Sequence, residues 1–294
     1  MLLRRRLWFL MTAMVVFICW FSGCAEKRET DVEFVATPQP VVVEMLKMAK
    51  VTKDDVVYDL GCGDGRIVIT AARIFGAGGV GVDIDPALIR LSNKNAGKTG
   101  VTDRVKFIEG DLFRTNLSKA TVVSLYLTPE LNVRLRPKFF RELKAGTRIV
   151  SHDFDMGDWK PDSVGRMRGI RYQYPDLTYV RDAVFYYWVI PANVSGRWRW
   201  TVSAATGRRD YTLSLAQTFQ EISGEIGVEK RKYPIADVRL SGDSLRFTCR
   251  DHVDRETATM RFDGRVHGDT IEGNLEISGG PSAGRYPWMA KRHL

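Results

Sequence analysis

The stretch Val56-Val57-Tyr58-Asp59-Leu60-Gly61-Cys62-Gly63-Asp64-Gly65-Arg66 decides the fold of this 294-residue chain. An apolar run carries an acid near its end, three glycines follow at alternate positions, and a helix-forming segment begins at Arg66. That order predicts a buried parallel strand, a tight turn and a helix N-terminus. Glycine suits such a turn because the backbone bends sharply and lies close to whatever binds there, with no Cβ in the way. The spacing is G-x-G-x-G after an acid, which differs from the G-x-G-x-x-G that cradles a pyrophosphate.

Two more acids stand in the same kind of place. Gly79-Val80-Gly81-Val82-Asp83-Ile84-Asp85-Pro86 reads as a second short strand ending in an acid, with Pro86 in the first turn of the next helix. Asp83 follows Asp59 at about the spacing where an acid reaches a ribose hydroxyl in a βαβ unit. Val105-Lys106-Phe107-Ile108-Glu109-Gly110-Asp111 is a third strand, followed by Gly-Asp. Each acid taken singly has a plainer reading, Asp111 as a turn and Asp83 as a helix cap. Three in order at the carboxyl ends of parallel strands mark the edge where open α/β sheets bind ligands. The set resembles motif I and its successors in the Rossmann-like methyltransferases that use S-adenosylmethionine. The resemblance implies that Asp83 holds the ribose, and that Gly110 leaves room for an adenine whose amino group Asp111 accepts from. A nicotinamide enzyme is the competing reading.

A formal charge of +9 invites a nucleic-acid reading, so its distribution matters. Residues 1–34 carry 5 basic and 4 acidic groups, 35–191 carry 23 and 18, and 192–294 carry 16 and 13. The excess is spread rather than blocked, which argues against nucleic acid. The densest run, Arg134, Arg136, Lys138, Arg141 and Lys144, falls on one predicted helix and reads as a solvated face.

The N-terminus is set apart. Arg4-Arg5-Arg6 precedes the apolar run 7–21, and Ser22-Gly23-Cys24 follows. A basic start, a short apolar run and small residues describe an export signal better than a full membrane span. Phe21-Ser22-Gly23-Cys24 resembles a bacterial lipoprotein cleavage box, which implies lipidation at Cys24, with Phe21 in place of the usual Leu. Residues 1–24 are therefore expected to be a leader or anchor, and 25–34 a linker, giving membrane association on an unassigned side. That expectation pulls against a cofactor made in the cytosol. With Cys19 and Cys24 in the leader, Cys62 and Cys249 remain, too few for a disulfide framework.

Further along, residues 41–48 read as a helix and 121–126 as a strand, and Pro129 opens a helix stopped by Gly146. Residues 147–151 form a fifth strand, and 177–190 supply closing strands with an antiparallel edge. Strands alternating with helices imply a doubly wound, mostly parallel α/β sheet over residues 35–191. Leu127-Thr128-Pro129, then Ile149-Val150-Ser151 with Phe154, then Trp159 and Pro161 narrow the resemblance. It is similar to the lysine methyltransferases of the ATP synthase c-subunit and of adenine nucleotide translocase, over about residues 35–165. That likeness implies that Asp59, Gly61 and Gly63 bound the methionine end of the cofactor, with Asp64 beside them. It also implies that Thr128 and Pro129 lie next to the transferred methyl. His152 and Asp153 depart from the small and basic residues expected there. Tyr126, Asp153 and Trp159 are the candidates to line the acceptor's mouth, each with a packing role as the plainer alternative.

From residue 192 the texture changes. Tyr211, Leu213, Leu215 and Phe219 alternate with polar residues, as do Leu245, Phe247 and Cys249, and Ile271, Gly273, Leu275 and Ile277. With turns at Gly242-Asp243 and Gly268-Asp269, this predicts a small antiparallel all-β domain, barrel or sandwich, over 192–294. No metal-ligand spacing stands out, and His252 and His267 read as isolated surface residues. The expected function is methyl transfer from S-adenosylmethionine, most naturally to a protein lysine. The alternatives are a small-molecule or lipid methyltransferase and an exported, non-catalytic binding lipoprotein. Nothing in the sequence sets the oligomeric state.

Overall fold

The computed structural model describes residues 34–173, 177–204, 207–253 and 256–293. The leader, Cys24 and nearly all of the linker lie outside them, as does the side chain of His252. No helix among the described residues is long and apolar enough to cross a membrane.

The strand of the glycine stretch is β1 (Val56–Leu60), third in a seven-stranded sheet. Around it stand β2 (Gly78–Asp83), β3 (Val105–Glu109), β4 (Val122–Leu125), β5 (Arg148–His152), β6 (Ser163–Gln173) and β7 (Thr178–Val189), in the order β3-β2-β1-β4-β5-β7-β6. The first five are parallel, and β7 and β6 close the sheet antiparallel. Chain order reverses between β1 and β4, which opens a crevice at their carboxyl ends.

Alternate residues of the central strands face opposite layers. Val57, Val122 and Val150 pack with Val41, Val42, Met45 and Leu46 of α1 (Gln39–Met48) and with Ile67 and Ala71 of α2 (Arg66–Phe75). Leu60, Val123, Leu125 and Ile149 pack with Leu131, Leu135 and Phe139 of α4 (Pro129–Glu142). Between these, α3 (Pro86–Thr99) begins with Asp85 as its cap, accepting from Ala87 N. Both faces of β1 and β4 are dry, which is why their sequences run apolar instead of alternating.

Two readings are corrected. Residues 163–173 form an eleven-residue strand that the sequence pattern did not suggest. A register shift between Met167 and Ile170, with Gly169 at φ 64°, breaks its period of two. The basic run on α4 is also less solvated than its charge implies. Lys138 is 6% exposed and paired with Glu142, Arg136 reaches Asp158 and the Met156 carbonyl, and Arg134 lies over the Phe113 ring.

The remaining strands, β8 (Gly196–Ala204), β9 (Gly207–Thr218), β10 (Glu221–Val228), β11 (Arg231–Ser241), β12 (Ser244–Val253), β13 (Glu256–His267), β14 (Thr270–Ser278) and β15 (Gly284–His293), close into an eight-stranded antiparallel barrel. Trp198, Trp200, Trp288, Phe247 and Phe262 fill its interior, with Phe247 and Phe262 stacked at 4.6 Å. The barrel rests against the start of β5 and the end of β7. Gly242 accepts from Ala192 N and approaches Gly146 so closely that a Cβ would lie 3.0 Å from the Gly146 Cα. The tip of the β9–β10 hairpin adds a second contact: Phe219 stacks on Trp159, and Gln220 bonds both the Trp159 indole and the Lys160 carbonyl.

Candidate active site

The turn after β1 holds the first half of the site. Gly61, Gly63 and Gly65 all have positive φ, 80°, 54° and 79°. A Cβ on Gly61 would lie 2.9 Å from Leu127, and one on Gly65 would strike Phe107 at 2.7 Å. The turn is tied down from behind: Gly61 N and Cys62 N donate to Val82 O, while Ser92 and Asn95 of α3 donate to the carbonyls of Gly63 and Asp64. Phe34 leans over Gly63 from the other side.

Three carboxylates surround this turn. Asp59 is 2% exposed and accepts one bond, from Ser124 Oγ at 2.7 Å. Burial raises its pKa to about 7, with the charges of Asp83 and Asp64 adding to the rise. Asp83 accepts from Gly63 N at 2.8 Å and Asp85 N at 3.0 Å, and burial raises it too. Asp64 is neutralised by Arg66, which also holds the Thr37 carbonyl. Burial and the charges of Asp59 and Asp83 push the Cys62 thiol far above its usual range, so it is not a nucleophile. Gly110 N donates to Asp83 O, and a Cβ on Gly110 would meet nothing nearer than 3.9 Å. Asp111 caps its own turn through Phe113 N at 2.7 Å, and its Oδ2 lies 3.6 Å from Arg114 Nε with no hydrogen bond from the described residues.

These residues fit S-adenosylmethionine. A carboxylate whose ionisation burial disfavours gains most from a cationic ligand, Asp83 keeps lone pairs for a diol, and the open flank of Gly110 admits a flat ring.

The second half lies beyond β4 and β5. Thr128 caps α4 by accepting from Leu131 N at 3.4 Å, and Pro129 takes the first helical position. Leu127 carries this segment against Gly61. Tyr126 places its hydroxyl 3.4 Å from Asp153 Oδ2 and its ring 4.1 Å from that of His152. Asp153 has φ 62°, in the left-handed region, fixed by its N–H on Val184 O. Burial alone would raise its pKa, but the Arg181 guanidinium holds it below the usual carboxylate range. It is therefore a poor proton acceptor while that pair is closed. His152 is fully buried between Thr37 Oγ1 at 3.1 Å and the Tyr172 hydroxyl at 2.9 Å, and burial lowers it to about 4.

Tyr126, Thr128, Pro129 and Asp153 thus share one edge with the carboxylates around the glycine turn. Trp159 does not: it is buried between α4 and the barrel, against Phe140, Trp188 and Phe219. Sequence reasoning missed Thr37, Tyr172, Tyr179 and Arg181. The pairing of Tyr172 with Tyr179 across β6–β7 was the signal available, once residues 163–173 are read as a strand. No group of three or more His, Cys, Asp or Glu able to hold a metal occurs among the described residues.

Residues 59–163 match the family model described as the ANTKMT methyltransferase domain. A protein-lysine N-methyltransferase of Saccharolobus islandicus is 49% identical over 134 residues, 45% of this chain and 83% of that protein. The human lysine N-methyltransferase of the ATP synthase c-subunit is 32% identical over 137 residues, 47% of this chain, and the matched part spans 58% of its length. An RNA methyltransferase of Salinibacter ruber, crystallised with S-adenosyl-L-homocysteine, is 51% identical, with 54% of this chain and 96% of that one covered at a TM-score of 0.48.

Proposed function

This chain belongs to the ANTKMT family of S-adenosylmethionine-dependent methyltransferases, and from that premise we propose that its acceptor is the side-chain amine of a protein lysine. The observation that carries the cofactor half is the pair Asp59 and Asp83 across the glycine turn, with Asp59 raised to about 7. Bound S-adenosylmethionine supplies an electrophilic methyl carbon on a positively charged sulfur. Asp59 and the Gly61–Gly63 backbone would bound its methionine end, Asp83 its ribose, and Gly110 and Asp111 its adenine. The protein's task is then alignment, because bringing the amine in line with the methyl carbon removes most of the entropic barrier.

A lysine amine, with a free pKa of about 10.4, must also give up its proton. Asp153 is engaged by Arg181, so proton loss falls to desolvation at the mouth. Identity to the Saccharolobus enzyme supports a protein acceptor over a small molecule or lipid. Membrane attachment through residues 7–21 and Cys24 belongs to this proposal as well. A Cys24→Ser chain that still fractionates with membranes and still takes up labelled lipid would remove the lipoprotein part.

The test is calorimetric titration of S-adenosylmethionine into the wild type and Asp83→Ala, then labelled methyl transfer to lysine-rich proteins and to RNA. Saturable binding that Asp83→Ala weakens at least about tenfold, with label recovered as methyllysine, supports the reading. A folded wild type that binds no cofactor, or label recovered only in RNA, overturns it.

A further inference from the structure

The hairpin β6–β7 rises past the end of β5, whose last paired residue is His152, opposite Phe185. On that overhang one cation sits in a shell of unusual make-up. The Arg181 guanidinium meets both oxygens of Asp153, Nη1 to Oδ1 at 3.1 Å and Nη2 to Oδ2. Its central carbon lies 4.1 Å from the centre of the Tyr172 ring, and Nη2 is 3.5 Å from the Tyr126 hydroxyl. Tyr179, stacked on Tyr172 at 5.3 Å, contributes a further side-chain bond to Arg181. A carboxylate, phenolic oxygens and a ring face are the chemistry that recognises an alkylammonium.

Asp153 and Tyr172 are buried more deeply than the arginine that sits against them. Asp153 is 9% exposed at its side chain, is held in the left-handed region, and exchanges bonds with Val184 through both its N–H and Oδ1. Tyr172 is 1% exposed and anchored by His152, itself tied to Thr37. The Arg181 side chain is 38% exposed and extends from a strand that, at this point, pairs only with β6.

We propose that the shell formed by Asp153, Tyr126 and Tyr172 is the docking site for the acceptor's lysine amine, and that Arg181 fills it as an internal surrogate until a docked lysine displaces it. This rests on the lysine reading above. The exchange swaps one cation for another, so Asp153 keeps a counter-charge while the lysine docks. A free amine must compete with a tethered guanidinium at high effective concentration, whereas a protein acceptor brings docking contacts of its own. Arg181 therefore discriminates against small amines by occupying their place. Docked, it is the ammonium that the carboxylate favours, and its proton passes to solvent before the amine attacks.

The probe is n-butylammonium, titrated into the full-length wild type, R181A and the double variant D153N/R181A, with binding read from tyrosine ring resonances. R181A should bind it at least about tenfold more tightly than the wild type, and the double variant should lose that gain. R181M keeps the aliphatic stem over Tyr172 and serves if R181A does not fold. With poly-L-lysine as acceptor, KM should fall several-fold in R181A. A folded R181A or R181M that binds the amine no better than the wild type overturns the proposal, as does a KM that rises. S-adenosylmethionine binding is measured in the same samples. Its absence from the wild type defeats the methyltransferase reading, whereas normal cofactor binding without amine binding defeats the surrogate site alone.

Discussion

Replacing Asp59 by Asn should stabilise the protein without ligand at alkaline pH while weakening its hold on the cofactor. Asp59 is buried, its pKa is raised from 3.8 to about 7, and its one hydrogen bond comes from Ser124. Keeping it ionised at pH 8 destabilises the fold by about 4 kcal/mol, at about 1.4 kcal/mol for each unit of that rise. Asn still accepts from Ser124 but brings an amide N–H₂ without an acceptor, which offsets about 1–3 kcal/mol of the gain. The net effect at pH 8 is a stabilisation of about 1–3 kcal/mol. Between the unfolded value and about 7 the folded state binds the extra proton, so the wild type loses stability as pH rises through that window. From pH 8 to pH 5 it should therefore gain about 2–3 kcal/mol on the variant. Hydrogen exchange of the β1 amides reads this locally. A difference between the two proteins that is independent of pH, or that moves the other way, would refute the reasoning.

His152 predicts the opposite slope. Burial lowers its pKa from 6.5 to about 4, so only the unfolded chain takes up a proton between those values, and stability falls as pH drops through them. His152→Gln should flatten that part of the profile in thermal unfolding at pH 4–7; an unchanged profile would mean that His152 is charged in the fold. At the barrel contact, Phe219→Ala with Gln220→Ala removes the stacking on Trp159 and leaves its indole N–H unpaired. The expected cost is about 3–5 kcal/mol. Limited proteolysis should then separate the barrel from the sheet domain, and cleavage as slow as in the wild type would contradict this.

The catalytic half of the fold was legible because its signals are local. An acid, a glycine turn and a helix start occupy eleven consecutive residues, and buried parallel strands announce themselves as apolar runs. The proposed acceptor side was only partly legible. Tyr126 and Asp153 could be named from their position after β4 and β5, but their partners come from strands that follow in the chain and fold back. β6 hid behind a bulge and four arginine or glycine positions between 165 and 169. The barrel's alternation was plain, whereas its closure was not. Barrel and sandwich differ in whether β8 meets β15, a pairing of segments about ninety residues apart.

The barrel is seated where β5 starts and β7 stops, and the candidate site lies where β1, β4 and β5 finish. The parallel strands between them are four to six residues long, so about 13–20 Å of sheet separates the two ends. The barrel and the glycine turn therefore stand at opposite ends of the parallel strands. A substitution on the barrel's far side is therefore as remote from the glycine turn as this fold allows, and reaches it only through the length of the sheet.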